Sequence, residues 1–387
     1  MTVVRRNTAQ KKLRILHVIP NVERGGAERV LVSLCQGLVK QGYDVHVLVL
    51  GRDNEFAREF GSDIPVLLLG YPLTYRKILA TVRCLLRIRK VLLDIRPTII
   101  HSHLWPAARM VGWARSNLRL PHIVHIHAPI GWLEQKDLRA MLLRYLTRNT
   151  LSRPGTFYIA TGRSVAEYTK RCLRWLPEDI AVVYNGFDHD IFSEFREFRP
   201  RSQKDELTFG LACRLVPGKG IDRCLRAFKM ASFSRPWKCL IAGYGSERSQ
   251  LEKLAYSLGL NENVVFLGPL SDMVNFYKQL DVFVQPSLSE GLSLATIEAM
   301  ACSVPVVATD VGATRELVRE GIDGLLVPPD DVRALSVALS NIAKDDELRR
   351  NLAAAAHERA WSQFSSVHML ERVIAFYNAV IPFGSHG

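Results

Sequence analysis

The sequence predicts an α/β protein built from two doubly wound parallel-sheet domains that face each other across a cleft. Three observations predict it. Short β-rich apolar runs alternate with amphipathic helical segments along all 387 residues, the pattern of βαβ units and parallel sheets. The alternation breaks at the charged stretch FSEFREFRPRSQKDE and restarts near residue 205, which divides the chain into two such units rather than one large sheet. The glycine- and charge-bearing motifs fall just after strands, where open α/β sheets bind ligands.

The elements follow in order. LRILHVIP reads as a strand, AERVLVSLCQGLVKQG as an amphipathic helix ending at a glycine, and YDVHVLVL as the next strand. TIIHSH, HIVHIH, FYIAT and IAVVYNG are short strands that lead into helices or turns. After the restart, LTFGLACR, KCLIAGYG, VVFLG, DVFVQPS, VPVVATD and GLLVPP are strands, and DRCLRAFKMA and SQLEKLAYSLG are helices between them.

Composition narrows the class. The chain is 48% hydrophobic and 23% charged, as expected for a globular protein of this size. Its apolar runs are too short to span a bilayer. The basic start RRNTAQKKLR lacks the apolar centre and cleavage site of a signal peptide, so a cytoplasmic location is expected. The seven cysteines are scattered, odd in number and free of CxxC spacing, which fits free thiols in a reducing compartment. A formal net charge of +13 calls for an anionic partner: nucleic acid, an anionic membrane or a phosphorylated substrate.

Three motifs carry the chemistry. In PNVERGGAERV, Gly25 and Gly26 precede a helix, where backbone N–H groups and the helix dipole favour an anion; a plain strand-to-helix turn uses glycine equally well. The motif is not GxGxxG, so a dinucleotide fingerprint is absent. In CRLVPGKGID, Arg214 and Lys219 flank a Pro-Gly turn, and a guanidinium fork with an ammonium five residues on can clamp a diphosphate. In SEGLSLATIEAMA, Glu290 lies before a helix and Glu298 inside it, with the amides of Gly291, Leu292, Ser293 and Leu294 at the helix start. Carboxylates accept from hydroxyls while amides donate to phosphate, so the pair suits a ligand that is both polyhydroxylated and phosphorylated.

Together GGAER, NGFDHDIF, CRLVPGKGID, AGYGSE, FLGPLSDM and the two glutamates with seven residues between them resemble glycosyltransferase family 4, from about residue 13 to 380. The resemblance implies the GT-B fold: an acceptor-side domain over 13–195, a donor domain over 205–365, and a helix over 366–381 that packs back on the first domain. It implies transfer of a sugar from a nucleotide donor with retention of configuration, with no cofactor and no bound metal. Arg214 and Lys219 would bind the donor diphosphate and stabilise the leaving group. Gly26 and its loop would approach the phosphates from the other domain. Glu290 would hold hydroxyls of the transferred sugar, Glu298 the ribose hydroxyls, and backbone around Leu270 the base. Front-face attack is the expected route; Glu290 as a covalent nucleophile is the weaker one. His127 would orient the donor sugar, although Ala128 stands where the family often has an acid or small polar residue. His103 is expected to line the acceptor side.

Histidine pairs at His101, His103 and His125, His127 each share one side of a strand, but no cysteine or carboxylate completes a zinc set in sequence. Asp188-His189-Asp190 spells a D-x-D and is expected to be a turn rather than a Mg²⁺ site. Residues 75–97 hold seven Arg/Lys and one acid, with Ile78, Leu79, Val82, Leu85, Leu86 and Val91 as an apolar stripe; residues 132–153 are similar. Such helices can dock on anionic lipid, and an ordinary solvated cationic face looks the same in sequence. No nucleic-acid motif accompanies the charge. The expected protein is therefore a hexosyltransferase using a UDP- or GDP-sugar, peripheral at the inner face of a membrane, with a lipid-linked oligosaccharide acceptor in surface-polysaccharide or lipopolysaccharide assembly. The alternatives are another GT-B enzyme (an epimerase or a sucrose- or glycogen-type synthase) and a non-catalytic nucleotide-sugar-binding partner.

Overall fold

A computed structural model describes residues 13–22, 25–52, 56–71, 78–128, 137–199 and 205–381. Parts of the basic segments, Arg76, Lys77 and residues 132–136, lie outside the described residues, as do Glu23 and Arg24 before the first glycine pair. The first domain runs β1 (Arg14–Ile19), α1 (Gly26–Lys40), β2 (Asp44–Val49), β3 (Val66–Leu68), α2 (Ile78–Ile95), β4 (Ile99–His103), α3 (Trp105–Ala114), β5 (His122–Ile126), α4 (Leu138–Leu151), β6 (Thr156–Ala160), α5 (Arg163–Cys172) and β7 (Ala181–Val182). The second runs β8 (Leu207–Ala212), α6 (Ile221–Met230), β9 (Trp237–Ala242), α7 (Arg248–Ser257), β10 (Val264–Gly268), α8 (Met273–Gln279), β11 (Val282–Gln285), α9 (Leu294–Ala301), β12 (Val306–Thr309), α10 (Thr314–Leu317), β13 (Leu325–Val327) and α11 (Val332–Lys344). Two long helices, α12 (Asp346–Gln363) and α13 (Ser366–Val380), close the chain.

Both sheets are parallel. Their orders are β3-β2-β1-β4-β5-β6-β7 and β10-β9-β8-β11-β12-β13. Strand order therefore reverses between β1 and β4, and again between β8 and β11, which is where such sheets open a crevice at their carboxyl ends. The two faces of the first sheet have different chemistry. Leu16, Val18, Leu48 and Ile100 pack with residues of α2 and α3. The opposite face puts Ile15, Ile19, Ile99 and Ile123 against α1 and α13. His17, His101, His103, His125 and His127 share the parity of that second set. The registers His17↔His101 and His103↔His125 place them side by side.

Helix α13 joins the first domain's core: Met369, Val373 and Tyr377 are buried with Ile15, Val30 and Leu34. The link before it is stitched to the first domain, with the Phe187 amide donating to Phe364 O and the Ser366 amide to Phe187 O at 2.9 and 2.8 Å. A second stitch caps α5. Its N-cap is Gly162, which has no side chain to offer. Glu316 of α10 supplies the cap from the other domain, accepting from the amides of Arg163 and Ser164 at 2.7 and 2.8 Å. It also accepts from the Ser164 hydroxyl and the Tyr184 hydroxyl.

The basic helices differ from the sequence expectation in one respect. α2 is seated by Cys84, Ile88 and Leu92, with Leu85 and Val91 only half-buried. Leu79, Val82, Leu86 and Leu93 point outward. The single stripe expected from sequence is thus two stripes, because apolar residues surround more of the helix than one packed layer can cover. On α4 the residues Leu138, Met141, Leu142 and Tyr145 are likewise exposed. Asp188 closes a turn by accepting from the amides of Asp190 and Ile191, and Asp190 pairs with Lys40 at 2.6 Å. The seven cysteines are free thiols.

Two predictions follow from this packing. Glu316→Ala leaves the start of α5 uncapped and should lower stability by about 2 kcal/mol, read as a lower urea midpoint. The second concerns acid. Burial lowers the pKa of His17 to about 3 and of His127 to about 4, and carries His101, His103, His122 and His125 well below the ordinary value of 6.5. The unfolded chain then binds more protons than the folded one below pH 6.5. Stability is complete above that pH and falls as the pH drops toward the folded values, by about 1.4 kcal/mol per pH unit for each such group. The thermal midpoint should fall steeply from pH 7 to pH 5; a flat profile would contradict the buried neutral histidines.

Candidate active site

One half of the candidate site is assembled at the β8/β11 switch. The loop after β8 carries Arg214 and Lys219 and lies against the segment after β11. Gly220 adopts φ +65° where a Cβ would stand 2.0 Å from the Pro286 carbonyl oxygen, so only glycine allows this approach. The Leu288 amide donates to Gly218 O at 2.8 Å. This contact brings Lys219 Nζ to within 2.5 Å of Glu290 Oε2, both groups retaining some solvent exposure. Arg214 is exposed, and its side chain makes no hydrogen bond or ion pair among the described residues. It is an exposed cation on the same loop as Lys219, and no hydrogen bond or ion pair joins it to either glutamate.

The start of α9 meets the other domain. At Gly291 a Cβ would lie 2.3 Å from the His127 carbonyl oxygen and 3.2 Å from Ala128 Cα. The two domains therefore touch where the loop between β11 and α9, which carries Glu290, meets His127 and Ala128 just after β5. Leu292 O accepts from Asn185 Nδ2 at 3.3 Å, and Leu294 joins the first domain's core. Ser293 caps α9 by accepting from the Thr296 amide. Among the described residues the amides of Gly291 to Leu294 reach no acceptor.

Several expectations change. Glu298 is 1% exposed and does not stand open to a ribose. Arg29 of α1 forms an ion pair with it at 2.6 Å, and the Tyr277 hydroxyl donates to it at 2.9 Å. The carboxylate beside it raises the Arg29 pKa above the ordinary guanidinium value. A buried carboxylate requires such partners. His103 is wholly buried and does not line the cleft; its ring is bonded to His127 on one side and His17 on the other. Leu270 is half-buried against the apolar cluster that also holds Ile297 and Phe276. Gly25 is the N-cap of α1 and Gly26 its first residue; a Cβ at Gly26 would meet nothing within 4 Å.

Sequence inspection missed Arg29, Tyr277, Asn185 and Glu316. A signal existed for Arg29 alone: it sits in GGAER three residues after Gly26, so it shares the helix face of that glycine. The others are joined to their partners only by folding. Arg29→Ala should strand the buried Glu298 carboxylate with Tyr277 as its remaining partner, at a cost of about 2 kcal/mol given the partial exposure of the arginine. The Arg29→Ala, Glu298→Gln double variant should recover part of that loss, as a double-mutant cycle in urea would measure.

This geometry accords with the comparisons. Residues 193–359 match the family Glycosyl transferases group 1, and residues 24–191 match Glycosyltransferase Family 4. The D-inositol 3-phosphate glycosyltransferase of Mycolicibacterium smegmatis is 30% identical over 296 residues, covering 72% of this chain and 67% of that protein. An exopolysaccharide phosphotransferase of Streptomyces coelicolor is 36% identical over 200 residues, 49% of this chain but only 20% of that protein. HepE of Anabaena, solved in complex with UDP-glucose, superposes with a TM-score of 0.79 at 20% identity over 95% of this chain and all of that one. The fold is GT-B, and the chain belongs to the group 1, family 4 glycosyltransferases.

Proposed function

We propose that this glycosyltransferase moves a hexose from a UDP- or GDP-sugar, with retention, to a lipid-linked glycan acceptor in surface-polysaccharide or lipopolysaccharide assembly. The observation that carries the proposal is the Lys219–Glu290 pair at 2.5 Å, set beside the amides that begin α9 and across from His127. Arg214 and Lys219 hold the donor diphosphate and stabilise charge on the departing nucleoside diphosphate, so no bridging divalent cation is required there. The α9 amides and the start of α1 add backbone donors. Glu290 accepts from hydroxyls of the transferred sugar. Lys219 at this distance draws charge from Glu290, which favours hydroxyl binding over covalent attack. The leaving phosphate then assists front-face attack by the acceptor. HepE holding UDP-glucose and a relative named for exopolysaccharide chemistry support this choice of donor and setting.

The acceptor side supports a membrane-bound substrate. α3 packs between α2 and α4, so both lie on one layer of the first domain. Leu79 is 75% and Leu138 82% exposed, interleaved with Arg83, Arg87 and Lys90 on α2 and Arg148 on α4. Apolar side chains between cations suit an anionic lipid surface. No helix among the described residues is long and apolar enough to cross a membrane.

Thermal-shift screening with UDP- and GDP-sugars, with and without EDTA, should find a donor that raises the melting point by mass action and is indifferent to EDTA. With that donor, Glu290→Ala or Lys219→Ala should lower kcat/KM about 100-fold, and the anomeric proton of the product should keep the donor's configuration. Full transfer activity in both variants would overturn the assignment. Sedimentation with anionic vesicles tests the membrane part. Leu79→Glu with Leu86→Glu should abolish binding, and a chain that stays off vesicles and glycosylates only soluble acceptors would refute it.

A further inference from the structure

Two glycines hold the turn between β11 and α9. Gly312, at φ +53°, lies so close to Glu290 that a Cβ there would stand 1.8 Å from the Glu290 carbonyl oxygen, and Gly291 lies against the His127 carbonyl oxygen. Backbone packed on backbone in this way limits where the turn lies. The rotation of its peptides is left to directional bonds. A hydrogen bond from the first domain supplies one: Asn185 Nδ2 donates to Leu292 O at 3.3 Å. The partner settles which end of the amide faces it, because a carbonyl oxygen can only accept.

Asn185 is anchored from behind. It follows β7 by three residues and precedes Gly186, where a Cβ would stand 2.4 Å from the Ser365 carbonyl oxygen. The backbone there is pressed against the link between α12 and α13, and Phe187 bonds to both sides of that link. The side chain thus joins the crossover between the domains to the turn that carries Glu290.

This contact does little for the fold by itself. A neutral hydrogen bond of 3.3 Å is long. Asn185 is 6% exposed, and its Oδ1 is buried with no hydrogen-bond partner among the described residues. A buried acceptor without a donor costs at least as much as one neutral bond returns. The residue is better explained by what it does to the turn. A trans peptide is planar, with its C=O and N–H on opposite sides, and no cis peptide occurs among the described residues. With Leu292 O turned toward Asn185, the Ser293 N–H points the other way. That amide has no acceptor among the described residues. If the peptide turned over, a carbonyl oxygen would take the place of the N–H and repel an anion.

We propose that Asn185 is a positioning residue: from the domain crossover it fixes the Leu292–Ser293 peptide, so that the α9 turn presents an N–H and not a carbonyl oxygen to the donor diphosphate. Asn185 itself touches no reacting atom. The proposal rests on the placement of the donor at α9 given above and adds the group that orients the amides there.

Calorimetric titration of the full chain with UDP and with GDP tests this. Asn185→Leu keeps the shape and removes the donor; Asn185→Ala does the same with less bulk. A peptide left free to rotate still presents its N–H part of the time, so the loss is smaller than the roughly hundredfold effect of a deleted donor. Both variants should bind the nucleotide about tenfold more weakly, with melting points within about 3 °C of the unaltered chain. Asn185→Asp separates donation from shape. Burial raises its carboxyl pKa, so at pH 6 the protonated group can donate to Leu292 O and at pH 8 the ionised one cannot. Relative to the unaltered chain at each pH, this variant should recover most of the lost affinity at pH 6 and none at pH 8. Glu290 is present in both chains, so the ratio isolates residue 185. Unchanged affinity in the Leu and Ala variants overturns the proposal, as does an Asp variant that binds no better than the Leu variant at pH 6. A melting point lowered beyond the stated range along with the affinity would make Asn185 a tether between domains and overturn it too. Binding of neither nucleotide by the unaltered chain would refute the donor reading itself, and this proposal with it.

Discussion

The structure depends on the contact between the start of α9 and the end of β5. Gly291 lies against the His127 backbone, so the loop before α9 sits flush on the end of β5. A side chain at Gly291 would hold the domains apart. Without one, the helix start, the Lys219–Glu290 pair and His127 come together although they are drawn from residues 127 to 294 of the sequence. Nearby, Arg29 reaches Glu298 and Glu316 caps α5. These are charge-assisted bonds between domains, and such bonds are stronger and more directional than apolar contact. The domains are thus fixed in register by polar groups and held together by an apolar cluster that runs through both, from Val124 and Phe187 to Ile297 and Ala313.

This arrangement gives the two glutamates different chemistry. Glu290 retains solvent access and one cationic partner. Glu298 is enclosed by Arg29 and Tyr277 and acts in this structure as the anchor of a buried ion pair. Arg29 and Tyr277 satisfy that carboxylate, so its charge is spent inside the fold. Lys219 is likewise paired, with Glu290, whereas the exposed Arg214 makes no side-chain hydrogen bond or ion pair among the described residues.

The excess of positive charge is likewise divided by position. Part of it is spent inside the fold, as in Arg115, which reaches the Leu120 carbonyl at 2.8 Å. Part of it lies on α2 and α4 among exposed leucines. Cations placed between exposed apolar residues have a different physical meaning from cations on a solvated face, because apolar area left uncovered in water is costly.

The sequence by itself determined the class of fold. Period-2 apolar runs alternating with helical stripes, and a restart near residue 205, specify two parallel sheets because each strand must be buried on both faces. It also placed Arg214, Lys219, Glu290 and the α9 amides correctly after strands, since local glycines and the helix start mark those turns. It could not decide which charges pair. Arg29 and Glu298 are 269 residues apart, and nothing local in either motif encodes the other. The histidine pairs were visible as i, i+2 neighbours, but their union with His17 follows from the order β1-β4-β5, which pairing across crossovers sets. Likewise the two apolar stripes of α2 were written in the chain, while only the packed layer decided which stripe would be buried and which left facing outward.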